Sequence, residues 1–215
     1  MGGPIDKVFL EVAGRPIISH TWQRFEDASL VDEIVLVIRE EARGLFQSIA
    51  RSQGFRKPYK LVEGGQERQD SVWNGVLGCD PHTDLIAIHD GARPCVSEQT
   101  LSDTVGAAES AGAAVTGSRV VDTIKTVSAE GILVDHLDRN LLRAVQTPQV
   151  FKAGLIREAL GKAIENGKRY TDDTAAVQAM GHSVTVVETS DPNPKATVPS
   201  DLPWIEICLA KMQES

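Results

Sequence analysis

Six residues, HDGARP at positions 89–94, place a carboxylate and a guanidinium three residues apart directly after the apolar run LIAI. Gly91 lets backbone come close to a bound group without a Cβ in the way, and Arg93 offers a fork of donors suited to phosphate oxygens. A carboxylate at such a strand end, Asp90, could hold magnesium while ligand phosphates and water fill the remaining positions. The alternative is a turn closed by an Asp90–Arg93 ion pair, and these six residues alone slightly favour it.

A second candidate site is VEGGQERQDSV at positions 62–72, where a strand runs into paired glycines and then a helix. Gly64 and Gly65 permit a backbone that wraps a flat ring or an oxygen, and Ser71 can offer a hydroxyl to the same place. Two glycines between a strand and a helix are more often only a tight turn, so the pattern alone is weak.

Two further stretches carry polar groups in stiff or capping positions. SDPNPKATVPSDLPW, positions 190–204, is a proline-rich loop with Lys195 near its middle. A point charge there would suit a phosphate, although most loop lysines are simply solvated. Thr171, Asp172 and Asp173 precede a helical pattern, and N-capping explains at least one of them.

These stretches must be held by larger elements, and the chain alternates short β-branched runs with longer helical patterns. That alternation predicts an α/β fold, a doubly wound and mostly parallel sheet covered on both faces, with its ligand crevice at the carboxyl ends of the strands. The predicted strands are 33–39, 59–64, 84–90, 113–120 and 183–189. The predicted helices are 18–28, 41–53, 69–78, 98–112, 155–167, 173–181 and 202–212.

The segment 121–147 breaks this alternation. It is predicted to be strand, glycine-centred turn and strand with few core apolar residues, which indicates a hairpin arm projecting from the sheet. Arms of this kind usually find a partner, so we expect a homodimer.

Composition limits the class of protein. With 215 residues and 41% hydrophobic content, residues 1–215 are expected to form a single domain. The net charge of −8 disfavours nucleic acid and anionic membranes as partners, and no apolar run is long enough to span a bilayer. The cysteines, Cys79, Cys95 and Cys208, form neither a disulfide framework nor a zinc motif, which favours the cytoplasm.

Taken together, these stretches resemble the 2-C-methyl-D-erythritol 4-phosphate cytidylyltransferases of the non-mevalonate isoprenoid pathway. The resemblance covers nearly the whole chain and keeps the order of the motifs, an ordered set far more specific than any single member. The motifs are DKVFLEVAGRPII, GGQERQDSV, HDGARPCV, VVDTIK, LDRNLLRAVQTPQVF, TDDTAAVQ and PKATVPSDL.

The resemblance implies transfer of a cytidylyl group from CTP to 2-C-methyl-D-erythritol 4-phosphate, on a Rossmann-like nucleotidyltransferase fold. It implies that Lys7 and Lys195 are catalytic and that Asp90 holds magnesium beside the nucleotide phosphates. It also implies a cytidine site and an acceptor site, the latter with Arg139 and Thr147 supplied by the partner's arm. The cytidine residues would be Gly64, Gly65, Gln66 and Ser71, and the acceptor residues Arg93, Arg139, Thr147 and Thr171. Neither His89 nor His136 is needed as a base, because the attacking phosphate is already anionic.

The largest departure from the family pattern is at the start. The family opens with a strand and a loop of the type AAGxGxRMG that cradles the triphosphate, whereas this chain begins MGG. We therefore expect Met1 to be an internal methionine and the first strand and glycine-rich loop to be absent from this sequence. A shortened, inactive paralogue that acts as a binding partner is the alternative function. Retention of Lys7, Asp90, Arg93, Arg139 and Lys195 favours the enzyme.

Smaller departures concern the acceptor. The family's Arg-Pro after the Lys-x-Thr segment is Val198-Pro199 here, which removes one positive charge, and its Asp-Glu after the threonine is Asp172-Asp173. Because relatives that use ribitol 5-phosphate share the CTP half of the site, that acceptor stays open as an alternative.

Overall fold

A computed structural model describes residues 7–213, and the expectations about Met1 and the MGG start lie outside these residues. The α-helices are Ile17–Asp27 (α1), Arg43–Gln53 (α2), Arg68–Gly78 (α3), Glu98–Ala111 (α4), Ala153–Glu165 (α5), Asp173–Ala179 (α6) and Leu202–Gln213 (α7). The strands are Glu11–Val12 (β1), Arg15–Pro16 (β2), Ile34–Ile38 (β3), Tyr59–Glu63 (β4), Leu85–Ile88 (β5), Ala113–Arg119 (β6), Lys125–Val127 (β7), Leu133–His136 (β8), Arg143–Lys152 (β9) and Thr185–Glu188 (β10). The segment DKVFLEV contributes a short 3-10 turn, Lys7–Phe9, and the small strand β1.

Three of the four strands of the main sheet run in the same direction, and one runs against them. The strand order of this sheet is β10-β6-β9-β5, while β3 and β4 pair in parallel as a separate two-stranded sheet. β10 runs parallel to β6, but β9 runs antiparallel to both β6 and β5. The α/β class and the mostly parallel sheet are confirmed, and the one reversed strand, β9, was not predicted from the sequence.

That strand is β9, which was predicted to be only the end of the arm. Pro148 lacks the N–H that a central strand needs, so the stretch does not look like a sheet interior. The structure accommodates it with an irregularity: Val115 pairs with Gln149 and Gly117 with Val145, so three residues of β9 face Thr116 alone. This bulge bends β9 where the strand passes the candidate site.

Helices cover both faces of the main sheet, as the doubly wound prediction requires. One core cluster joins Val76, Phe151, Ile156 and Val177, from α3, β9, α5 and α6. On the other face, Ala108 of α4 packs with Val150 of β9. Val150 and Phe151, which are adjacent in β9, are therefore buried on opposite faces of the main sheet. A shift of one residue in the pairing of β9 would exchange these faces, so burial fixes the register of the strand.

The arm consists of β7 and β8, paired antiparallel through the turn that contains Gly131. Every residue of both strands is exposed. The hairpin displays apolar side chains that are more than half exposed: Val127 59%, Ile132 66%, Leu133 66% and Val134 67%. Among the residues that the structure describes, no helix is long and apolar enough to cross a membrane.

Candidate active site

The turn after β5 forms the centre of the candidate site. Asp90 Oδ2 accepts a hydrogen bond from Arg93 Nε at 3.1 Å and lies 2.9 Å from Lys195 Nζ. The Asp90 and Arg93 side chains are mostly buried, whereas Lys195 is 38% exposed. The ion pair of the simple-turn interpretation is therefore present, but the turn also meets Lys195, a second cation from a loop about a hundred residues further along the chain.

The ionisation of Asp90 reflects this setting. Burial works to raise the pKa of Asp90, but the Lys195 and Arg93 cations outweigh it and bring the pKa below its usual value. The carboxylate is therefore charged at neutral pH and can hold a cation.

Behind the carboxylate, His89 and Thr147 form a fixed polar pair. His89 Nε2 lies 3.0 Å from the Arg93 carbonyl oxygen, so this nitrogen must carry the proton and donate. Burial lowers the pKa of His89 to about 4, so the ring is neutral and its Nδ1 accepts from the Thr147 hydroxyl, 3.1 Å away. The same Thr147 oxygen accepts from the Asp90 backbone N–H at 3.1 Å. Both ring nitrogens of His89 are therefore engaged within the protein, which agrees with the predicted structural role.

Thr147 corrects a sequence expectation, because its hydroxyl lies in the site of its own chain instead of reaching over from a partner's arm. Its side chain is buried, 4% exposed, in β9. The physical reason is that the chain has left the arm by Arg143 and has already re-entered the main sheet.

His89 should make stability depend on pH. The pKa of His89 falls from 6.5 to about 4 on folding. Between these pH values the unfolded chain therefore binds a proton at His89, whereas the folded protein does not. Stability is therefore expected to fall between pH 6.5 and 4, by at most about 3 kcal/mol. Unfolding free energies measured across this range should decline less in His89→Gln than in the parent. Substitution of the exposed His82 with glutamine is the control, and equal declines in all three proteins would refute the assignment.

The glycine loop between β4 and α3 is closely built. Gly64 N–H donates to the Ile38 carbonyl at 2.8 Å, and Gly65 N–H donates to Ser71 Oγ at 3.0 Å. Ser71 thus keeps its own proton for another acceptor. Gln66, the next residue, is exposed. The four predicted cytidine residues therefore lie in one loop and the first turn of one helix.

Substitution of Gly65 should damage this loop. A Cβ at Gly65 would lie 2.3 Å from Asp70 Cβ, a separation that forces the first turn of α3 to move. We expect Gly65→Ala to destabilise the protein by about 1–3 kcal/mol and to weaken CTP binding at least tenfold. The control is Gly106→Ala, where a Cβ meets open space in α4 and should stabilise by about 0.5–1 kcal/mol. Calorimetric titration and thermal unfolding of both variants measure this, and unchanged CTP affinity in Gly65→Ala would contradict it.

Three consecutive residues at the start of α3 hold the segment that carries Thr171, and we call them the 68–70 clamp. The Arg68 guanidinium donates two hydrogen bonds to the Asp173 carboxylate, at 3.0 and 2.7 Å. Gln69 Nε2 donates to the Lys168 carbonyl and its Oε1 accepts from Tyr170 N–H, each at 3.0 Å. Asp70 pairs with Arg169. Thr171 itself is exposed, and Asp172 caps α6 by accepting from Ala175 N–H at 2.8 Å, which confirms the capping prediction.

Sequence reasoning missed the clamp, although opposite charges in ERQD and KRYTDD were a usable signal. The clamp lies close to the strand-end turn: burial works against the charge of Arg68, but Asp173, Asp90 and Asp172 raise its pKa overall. Arg68 thus connects the helix that follows the glycine loop to the Thr171 segment, and it lies within electrostatic range of Asp90.

Removing the clamp arginine should cost stability. Arg68→Met leaves the Asp173 carboxylate, 1% exposed, without its partner, so we expect a loss of about 1–3 kcal/mol. The figure is kept below that of a fully buried pair because Arg68 is 43% exposed. Adding Asp173→Asn should recover part of the loss. The matched control is Arg43→Met, which breaks an exposed two-bond pair with Glu40 and should cost clearly less than Arg68→Met, because water screens an exposed ion pair. Equal losses in urea unfolding would contradict the argument.

The remaining predicted residues lie apart from this cluster. Lys7 is exposed in the first 3-10 turn of the described chain. Arg139 lies at the base of the arm, where its guanidinium donates to the Val121 carbonyl at 2.5 Å. No contact in the described residues joins either side chain to Asp90.

The donor set limits how a metal could bind. The described residues contain no group of three His, Cys, Asp or Glu side chains placed to hold an ion. Asp90 is a single carboxylate beside two cations, which fits a magnesium ion that arrives with phosphate ligands and takes only one bond from protein.

An ionised strand-end carboxylate, two cations and a glycine loop on an α/β fold are the groups that a nucleotidyltransferase needs to bind and transfer a nucleotide. The family model described as IspD, 2-C-methyl-D-erythritol 4-phosphate cytidylyltransferase, matches residues 1–211. The chain therefore belongs to the 2-C-methyl-D-erythritol 4-phosphate cytidylyltransferase family.

Individual relatives agree. The chain is 39% identical over 212 residues to the enzyme of that name from Caldanaerobacter subterraneus subsp. tengcongensis, covering 98% of this chain and 93% of that protein. It is 41% identical to the one from Chlorobium luteolum, covering 95% and 89%. Among solved structures, the 4-diphosphocytidyl-2C-methyl-D-erythritol synthase of Anaerococcus prevotii superposes with a TM-score of 0.89 at 26% identity, covering 97% and 92%. The Thermus thermophilus cytidylyltransferase gives 0.76 at 33% identity, covering 98% and 95%.

Proposed function

We propose that this protein transfers the cytidylyl group of CTP to 2-C-methyl-D-erythritol 4-phosphate and releases pyrophosphate. The observation that carries the proposal is the meeting of Asp90, Arg93 and Lys195 at the end of β5, within a chain of this family. An oxygen of the acceptor phosphate forms a new bond to the α-phosphorus of CTP, and the bond to the β-phosphate oxygen breaks. No covalent intermediate on the enzyme is required.

The side chains act through position and charge. Lys195 has two further ammonium donors beside the one on Asp90, and these can bond nonbridging phosphate oxygens as negative charge develops there. Lys7 is proposed to bond the triphosphate, and Arg93 and Thr171 the acceptor. Gly64, Gly65, Gln66 and Ser71 are proposed to recognise cytosine. His89, neutral and bonded at both ring nitrogens, has no proton-transfer role.

Magnesium is proposed to bind Asp90 together with the phosphates of CTP. When bound, the ion neutralises charge on the phosphates. Asp90 would hold the ion, and Arg93 and Lys195 would keep the carboxylate in place through their bonds to its Oδ2.

We further propose a cytoplasmic homodimer in which the arm, which ends where β9 begins at Arg143, completes the partner's acceptor site through Arg139. The proposal is supported by the exposed apolar side chains of the hairpin, because such patches on soluble proteins mark interaction surfaces. The cytoplasmic location rests on the free cysteines and on the supply of CTP.

The direct test is pyrophosphate release by the 215-residue protein, supplied with magnesium, CTP and 2-C-methyl-D-erythritol 4-phosphate, with each substrate omitted in turn. Release that needs both substrates supports the proposal, and no release favours the inactive-paralogue alternative. Ribitol 5-phosphate in a parallel arm decides the acceptor, and faster turnover with it would overturn the erythritol assignment.

A further inference from the structure

Asn193 occupies a junction between three segments of the site. Its side chain is 4% exposed, and its Nδ2 donates to the Thr147 carbonyl at 2.8 Å. Its own carbonyl accepts from Arg93 at 2.7 Å. Asn193 thus holds β9 with its side chain and the strand-end turn with its backbone.

The bonds form a closed ring around the carboxylate. The Asp90 N–H donates to the Thr147 hydroxyl, and the Thr147 carbonyl accepts from the Asn193 side chain. The Asn193 carbonyl accepts from the Arg93 guanidinium, which also donates to the Asp90 carboxylate. Each of these contacts except the last joins segments far apart in sequence. A ring of this kind fixes the position of every member more firmly than isolated bonds do.

Lys195 lies two residues beyond this junction. On its other side, Ala196 N–H donates to the Ala92 carbonyl at 2.9 Å. Lys195 is therefore held between two anchors, of which Asn193 is the one made by a side chain. The orientation of the Asn193 amide matters, because its Oδ1 is buried without a hydrogen-bond partner in the described part of the chain while Nδ2 faces a carbonyl.

We infer that Asn193 is a positioning residue that sets Lys195 and Arg93 against Asp90 and thereby places the charge used in cytidylyl transfer. The inference rests on the proposed function for its effect on turnover, but its effect on the position of Lys195 is independent of that function. A shift of about 1 Å in groups that contact the reacting phosphates is enough to lower the rate about a hundredfold.

Two variants test this. Asn193→Asp keeps the shape but loses the donor and turns an oxygen toward the Thr147 carbonyl, while Asn193→Ser is smaller and keeps a hydroxyl. Both are expected to lower kcat about 10- to 100-fold, with the KM for CTP changed less than about threefold. The matched control is Asn166→Ser, since exposed Asn166, the residue that ends α5, makes a similar bond from Nδ2 to the Lys162 carbonyl at 2.7 Å.

The second readout is the position of Lys195 in crystal structures of the parent, Asn193→Ser and Asn166→Ser. The separation of Lys195 Nζ and Asp90 Oδ2, 2.9 Å in the parent chain, should increase by about 1 Å in Asn193→Ser and stay unchanged in Asn166→Ser. A lower melting temperature with unchanged kcat and an unchanged separation would overturn the inference and leave Asn193 purely structural. If the parent protein releases no pyrophosphate, the proposed function fails, while the position of Lys195 still decides the role of Asn193.

Discussion

Replacing Lys195 with alanine is expected to lower pyrophosphate release about 10²- to 10³-fold while the protein stays folded. The ammonium lies 2.9 Å from Asp90 and is 38% exposed, so it can reach a bound phosphate without leaving the site. Arg93 still pairs with Asp90 in the variant, so the carboxylate is not stranded.

The matched control is Lys162→Ala. That lysine also pairs with a carboxylate, Glu158 at 2.6 Å, but on an exposed face of α5. Steady-state rates with both substrates saturating distinguish the two lysines. Turnover within about threefold of the parent in Lys195→Ala would remove Lys195 from the mechanism.

Mixing two inactive variants should restore activity if each site is built from two chains. Arg139→Ala damages the arm, and Lys195→Ala damages the site in the body of the chain. A heterodimer then has one site with both residues intact, so random mixing should return about one quarter of the parent activity. The measurement is pyrophosphate release after co-refolding, with native mass spectrometry to count heterodimers.

The control pair is Asp90→Asn mixed with Lys195→Ala. Both changes fall in the same half of the site, so no heterodimer contains an intact site and no activity should return. Heterodimers of the first pair that stay inactive would show that Arg139 does not complete a partner's site.

Local sequence determined most of the elements. The helix and strand periods, together with polar residues at their ends, placed the helices within a few residues of their observed bounds, and Asp172 caps α6 as its position before an apolar run predicted. The strand-end turn at 89–94 could also be predicted, because a buried strand followed by charged residues and glycine is a local pattern.

Tertiary structure decided what surrounds that turn. Lys195 and Asn193 reach Arg93 and Asp90 from about a hundred residues away, and Arg68 reaches Asp173 over a separation of 105 residues. Patterns in a single sequence do not indicate which residues so far apart will contact each other. The sequence shows opposite charges in the two segments that the clamp joins, but it does not show which of those charges pair with each other.

The sequence by itself determined the class of fold, the strand-end carboxylate and the residue types available to bind phosphate, since these follow from periodicity and local chemistry. Only the tertiary structure decided that β9 runs antiparallel through the sheet, that Thr147 belongs to the site of its own chain, and that Asn193 closes the ring around Asp90. The physical reason is that Pro148 has no backbone N–H to donate, so the local sequence does not look like that of a central strand. The place of β9 is set by burial of Val150 and Phe151 between helices that lie far from them in the sequence.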